Sequence, residues 1–186
     1  MRKGDTDMKH ILIVVDMQTD FVDGALGTPE AVAILENVTA KIKAYAYDPD
    51  GVIFVTYDTH AENYMETSEG KHLPVPHCVK GTAGWALHPT VAAALEGVAY
   101  TPVEKPTFGS VELPALVGQA ANGEDFTVEL IGLCTDICVV SNTLLLKANY
   151  PEIPISVDAA CCAGVTPETH KAALVTMGMC QIQVKN

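Results

Sequence analysis

Positive charge is scarce in this 186-residue sequence: 11 Lys and Arg stand against 23 Asp and Glu, a formal net charge of −12. A polyanion would repel such a chain, which argues against nucleic acid and membrane surfaces as partners. Long hydrophobic runs are also missing. The apolar stretch 11–15 is cut off by Asp16, too short for a membrane span or a secretory signal core. The expectation is a cytoplasmic protein, with residues 1–8 a polar lead-in to one domain over 9–186. Charged residues make up only 18% and hydrophobic ones 48%, which excludes a disordered composition and leaves material for one sizeable core. The six cysteines, Cys78, Cys134, Cys138, Cys161, Cys162 and Cys180, lack the Cys-x-x-Cys spacing of a zinc knuckle or a thioredoxin-type pair. Reduced thiols are therefore expected.

What is present is an alternation of short apolar runs with helical patterns. Residues 11–15 form a β-branched run suited to a strand covered on both faces. Thr28-Pro-Glu opens a helix to about residue 46 with proline at its first position. Residues 51–57 are a second strand, ending in Asp58-Thr-His60. A long stretch, 61–89, follows; loops of that length in compact domains are usually functional. A helix over 90–97, a strand over 99–103 leading to Lys105, and a helix over 112–121 come next. A fifth strand, 153–157, ends in Asp158. Thr166-Pro-Glu-Thr caps a helix to about residue 178, and 180–184 is a last strand. The pattern predicts a single-domain, doubly wound, mainly parallel three-layer α/β/α fold.

The chain is organised around Phe126-Thr-Val-Glu-Leu-Ile-Gly-Leu-Cys-Thr-Asp-Ile-Cys138, read as strand, tight turn and helix start. Thr135 and Asp136 are residue types that cap a helix. Cys138 then falls in the first turn, where the helix dipole favours a thiolate. The competing reading is a buried apolar filler. In the predicted fold Asp16, Asp58, Lys105, Cys138 and Asp158 gather along the carboxyl edge of the sheet, where such folds bind ligands. There Asp16 could take the thiol proton and Lys105 stabilise the thiolate. Asp58, His60 and His77 form a second constellation of oxygen and nitrogen donors suited to Zn, Fe or Mn. Its alternative is a plain Asp58–His60 hydrogen bond with His77 at the surface.

Five motifs carry a resemblance over essentially the whole chain: Ile13-Val-Val-Asp16-Met-Gln-Thr-Asp20-Phe21, Tyr57-Asp58-Thr-His60, Pro74-Val-Pro-His77-Cys-Val-Lys-Gly-Thr82, Lys105-Pro-Thr-Phe108 and Gly132-Leu-Cys-Thr-Asp136-Ile-Cys138-Val. In this order they resemble the isochorismatase-like cysteine hydrolases, and within them the nicotinamidases (pyrazinamidases) of NAD salvage. The resemblance implies Asp16 as general base, Lys105 as its ionic partner and Cys138 as nucleophile, with a cis bond at Leu133–Cys134 and an oxyanion hole from the backbone N–H groups of Cys134 and Cys138. It implies metal ligands at Asp58, His60 and His77, with Glu69 as a fourth and Glu66 and His72 as competitors. The pocket wall would include Phe21, Leu26, Phe108 and Leu133. The implied reaction is hydrolysis of nicotinamide to nicotinate and ammonia through a thioester, on a small amide substrate, with a divalent metal and no organic cofactor. The family's habit implies a homo-oligomer. Cys134 departs from the family, which usually has a small residue there. The alternative within the family is a metal-free amidase of carbamoyl or ureido substrates. Isochorismatase proper is disfavoured because its ether hydrolysis does not use the cysteine retained here.

Overall fold

A computed structural model describes residues 8–186. Of the lead-in expected over 1–8, residues 1–7 lie outside the described residues, and Met8 is the first residue of β1. In chain order the elements are β1 (Met8–Val15), α1 (Thr19–Val22), α2 (Pro29–Ala33), α3 (Leu35–Tyr47), β2 (Gly51–Asp58), α4 (Ser68–His72), α5 (Pro89–Ala94), β3 (Thr101–Lys105), α6 (Leu113–Ala121), β4 (Asp125–Leu133), α7 (Val140–Asn149), β5 (Ile155–Ala163), α8 (Pro167–Met179) and β6 (Gln183–Lys185). The strands form one sheet in the order β3-β2-β1-β4-β5-β6, and every neighbouring pair is parallel. Parallel neighbours require crossovers, which the helices supply.

The apolar run in β1 is continuous because both faces of the sheet are covered. Ile11, Ile13 and Val15 pack on one side with Leu113 and Val117 of α6, Leu146 of α7 and Met177 of α8. Leu12 and Val14 pack on the other with Val38 and Ile42 of α3 and Val91 of α5. Among the described residues no helix is long and apolar enough to cross a membrane.

Several boundaries differ from the sequence expectation. The helix expected from Thr28 to about residue 46 is two helices, divided at Ile34. Thr28 does cap the first, its Oγ1 accepting the Ala31 N–H at 3.0 Å, and Thr166 forms a full capping box on α8. The stretch 61–89 holds a 3₁₀ turn, Tyr64–Glu66, and α4. The strand expected over 99–103 runs over Thr101–Lys105. Asp158 does not end its strand: β5 continues to Ala163, and the Asp158 carboxylate pairs with Lys41 at 2.7 Å, away from the other strand-end residues. A hydrogen-bonded ladder extended by a cationic helix partner overrode the turn signal of Asp158-Ala-Ala. Gly132 marks the tightest approach in the sheet. Its φ is +113°, and a Cβ there would lie 2.1 Å from the Val15 carbonyl oxygen, so β4 can pair with β1 at this register only as glycine.

Candidate active site

Strand order reverses between β1 and β4, the switch point at which doubly wound sheets bind ligands beyond the carboxyl ends of their strands. Asp16 follows β1 directly and Cys138 follows β4 by one turn. Asp58 and Lys105 are the last residues of β2 and β3 and are register partners. The topology thus delivers four chemically capable side chains to one point. Asp16 adopts a left-handed backbone, φ +47°, which is uncommon for a non-glycine residue and clusters at functional sites. Thr56 anchors it from β2: its Oγ1 donates to Asp16 Oδ1 at 2.6 Å.

The Lys105 side chain is fully buried. Its Nζ lies 2.7 Å from Asp16 Oδ2, 3.2 Å from Asp58 Oδ1 and 3.5 Å from Cys138 Sγ. Burial alone would lower the ammonium pKa; Asp16, Cys138 and Asp58 raise it instead, so Lys105 stays charged. Burial raises the Asp16 carboxyl above its ordinary range, and Lys105 offsets this only in part. Burial and then the Asp16 charge push the Cys138 thiol well above its usual value, against Lys105. The turn was expected to favour a thiolate, and burial works against it: with 4% of its surface exposed, Cys138 loses by desolvation what the turn and Lys105 return. Burial thus raises the proton affinity of both the thiol and the carboxyl.

The turn carrying Cys138 also differs from the expected capped helix. The Leu133–Cys134 peptide bond is cis, Thr135–Val139 form one π-helical turn, and Cys134 stands at the cap position without a side-chain cap bond. Thr135 and Asp136 cap nothing in this turn. Thr135 Oγ1 lies 2.8 Å from His170 Nδ1, and Asp136 Oδ1 accepts the Val165 N–H at 3.1 Å, tying the turn to α8 and the loop before it. Asn142 completes the tie: its Nδ2 donates to the carbonyls of Cys138 and Phe108, and its Oδ1 accepts the Ser110 N–H. The sequence reading missed Asn142, which stands in the polar run Ser141-Asn-Thr143 with no local signal to set it apart. It also passed over Gln18, whose amide accepts the Asp58 N–H at 2.7 Å and donates to the Asp58 and Trp85 carbonyls.

Asp58, His60, Glu69 and His77 each offer one donor atom, all within 4.8 Å of one another. His60 Nε2 is 2.9 Å from Asp58 Oδ2 and 3.7 Å from Glu69 Oε1. The Asp58–His60 contact considered above is present, within a group of four donors that converge on a common point. His77 Nδ1 bonds the Val75 carbonyl at 2.9 Å, which turns its Nε2 lone pair toward the cluster. The donor set fits a divalent transition metal. Glu66 is exposed on the 3₁₀ turn, and His72 Nδ1 bonds the Ser68 carbonyl; neither belongs to the group of four.

A cavity of about 560 Å³ opens above these groups. Phe21, Leu26, Phe108 and Leu133 line it together with Cys134, Ile137 and Cys138, while Asp58, Glu69 and His77 reach it from one end. Every expected wall residue is there, with Phe108 half exposed at the mouth. Burial and Asp136 push the Cys134 thiol up to about 12, so it faces the cavity as a neutral group.

Comparison with known proteins agrees with this geometry. The nicotinamidase/pyrazinamidase of Mycobacterium tuberculosis is 29% identical over 183 residues, which cover 93% of this chain and 96% of that protein. The crystal structure of nicotinamidase/pyrazinamidase from Bacillus subtilis matches with a TM-score of 0.82 at 25% identity, over 96% of this chain and all of that one. The pyrazinamidase of Pyrococcus horikoshii, solved in complex with zinc, matches with a TM-score of 0.73 at 26% identity, over 95% of this chain and 98% of that one. The family model of the isochorismatase domain matches residues 10–184. That match runs from β1 into β6, and the chain belongs to the isochorismatase domain family.

Proposed function

We propose that this protein is a cysteine-dependent amidohydrolase that converts nicotinamide to nicotinate and ammonia. The observation that carries the reading is Lys105 Nζ within reach of Asp16, Asp58 and Cys138 on the floor of an apolar cavity. The likeness to nicotinamidases supports the choice of substrate.

A flat aromatic amide enters between Phe21, Leu26, Phe108 and Leu133. Asp16, whose raised pKa makes it a competent acceptor, takes the Cys138 proton as sulfur attacks the carboxamide carbon. Lys105 holds the total charge near neutral while the proton moves. The oxyanion of the tetrahedral adduct is received by the backbone N–H groups of Cys134 and Cys138, a preorganised pair. Asp16 then returns its proton to the departing ammonia, leaving a thioester on Cys138. Water, deprotonated by Asp16, attacks the thioester, the C–S bond breaks to release the acid, and Asp16 returns the proton to the Cys138 sulfur. Acyl transfer to water needs no organic cofactor. Asp58, His60, Glu69 and His77 are the residues that would hold a zinc, iron or manganese ion, which supplies a Lewis acid for orienting a ring nitrogen. The zinc complex of the pyrazinamidase of Pyrococcus horikoshii supports that assignment. Six free thiols support a reducing, cytoplasmic setting.

The test is ammonia release from nicotinamide by the purified protein, before and after chelation. Turnover that chelation lowers and zinc, iron or manganese restores is expected. No turnover from metal-loaded protein would overturn nicotinamide as substrate and favour a carbamoyl or ureido amide, with the cysteine chemistry retained.

A further inference from the structure

Asp20 takes no part in the chemistry described above, yet three segments meet on it. Its Oδ2 accepts the Cys78 N–H at 2.8 Å, its Oδ1 accepts the Ala25 N–H at 3.3 Å, and its own N–H donates to the Gly84 carbonyl at 3.0 Å. Its carbonyl accepts the Leu26 N–H at 2.8 Å. Cys78, the residue after His77, has φ +46°. A left-handed non-glycine residue needs its surroundings to hold it there, and a charge-assisted bond to its N–H is the kind of contact that can. The next residue along, Phe21, packs edge-on against the His77 ring at 5.4 Å.

Room for the carboxylate is made by Gly84. A Cβ at that position would lie 2.1 Å from Asp20 Oδ2 and 2.4 Å from Oδ1. Glycine at 84 is thus the complement of the acid at 20.

We propose that Asp20 is a positioning residue for His77: by gripping the Cys78 N–H it sets the backbone from which His77 reaches the Asp58–His60–Glu69 group, so cation affinity depends on a carboxylate that is not one of the four donors. The same residue carries Phe21 and Leu26 on its flanks, which couples the cation end of the cavity to its apolar wall. This inference rests on the reading of those four residues as a cation site.

The experiment is zinc affinity of the metal-stripped full-length chain, by competition with a chromophoric chelator, for wild type, His77→Ala, Asp20→Ala, Asp20→Asn and Gly84→Ala. Wild type should bind and His77→Ala should lose binding. Asp20→Ala should weaken binding by about 10–100-fold, the range for partners that orient a metal ligand. Asp20→Asn should fall between, because one amide oxygen can satisfy Cys78 or Ala25 but not both. Gly84→Ala should also weaken binding, since it displaces the carboxylate without removing it, and it decides the matter if Asp20→Ala does not fold. Wild-type affinity in both Asp20→Ala and Gly84→Ala would overturn the inference. So would a lower unfolding midpoint of the metal-free variants with unchanged zinc affinity, the mark of a merely structural acid. A wild type that does not bind zinc, or binds as well without His77, would instead overturn the cation site itself and this inference with it.

Discussion

Two groups of buried charge differ in how their valences are filled. Midway along β4 and β5, Glu129 accepts from Lys185 at 2.8 Å and the Tyr45 hydroxyl at 3.0 Å and pairs with Lys41 at 3.2 Å. Asp158 pairs with the same Lys41 at 2.7 Å and accepts the Ala160 N–H at 3.0 Å. Two acids meet two bases. Burial alone would raise both carboxyls, but Lys185 and Lys41 more than offset it for Glu129, and Lys41 for Asp158, so both sit below their ordinary range. At the switch point, Lys105 is the one lysine shared by Asp16 and Asp58 beside a thiol, with His60 and His77 on the far oxygen of Asp58. Asp16 Oδ2 there has Lys105 Nζ at 2.7 Å, and His60 Nε2 has Asp58 Oδ2 at 2.9 Å. Saturated, balanced charge locks helix α3 and strand β6 to the sheet. Unsaturated charge beside a cavity is able to move a proton and accept a ligand.

That contrast can be broken by substitution. The largest effect belongs to Cys138→Ala, expected to lower turnover by on the order of 10⁴-fold or more, as for removal of a member of a nucleophile–base unit, with the unfolding midpoint little changed. Ammonia release together with a thermal scan checks both; retained amidase activity would sink the nucleophile assignment. Next is Lys105→Met, which strands two buried carboxylates. Beyond losing turnover it should cost about 3–5 kcal/mol of stability, read from urea unfolding. Lys41→Met should cost less, about 1 kcal/mol, because Lys41 is partly exposed and Glu129 keeps Lys185; turnover should hold. Equal losses of stability from the two lysines would erase the distinction drawn here.

The smallest effect concerns pH. Folded carboxyl values below the unfolded ones mean that Glu129 and Asp158 contribute stability above the unfolded values, about 4. That contribution disappears as pH falls through the folded values. Asp158→Asn should therefore flatten the acid limb of the unfolding midpoint between about pH 5 and 2. An acid limb as steep as that of the wild type would show that the network contributes nothing.

Much of the site was legible because its residue types sit where local patterns end. The run 11–15 stops at Asp16, the run 51–57 at Asp58, and the third strand leads to Lys105; strand ends are visible in one dimension. Asp158 misled for the same reason, since a turn-like Asp-Ala-Ala can continue as strand when Lys41 supplies a partner. Gln18 and Asn142 were passed over because their function is to fill backbone hydrogen bonds of distant segments, Asp58 and Phe108–Ser110, which no local pattern announces. The role of Asp20 depends on Gly84, 64 residues further along the chain, which leaves room for its carboxylate.

The sequence by itself determined the alternation of strand and helix, the doubly wound class and the order in which acid, lysine and cysteine arrive at strand ends. Those follow from residue periodicity and turn chemistry, which act between near neighbours. Only the tertiary structure decided that β1 and β4 lie side by side, that Lys105 meets three partners, and that four donors of 58, 60, 69 and 77 converge. It also decided the direction in which the Cys138 thiol is shifted: proton affinity in a buried site is set by desolvation and by charges brought in from other strands, and neither exists until the chain has folded.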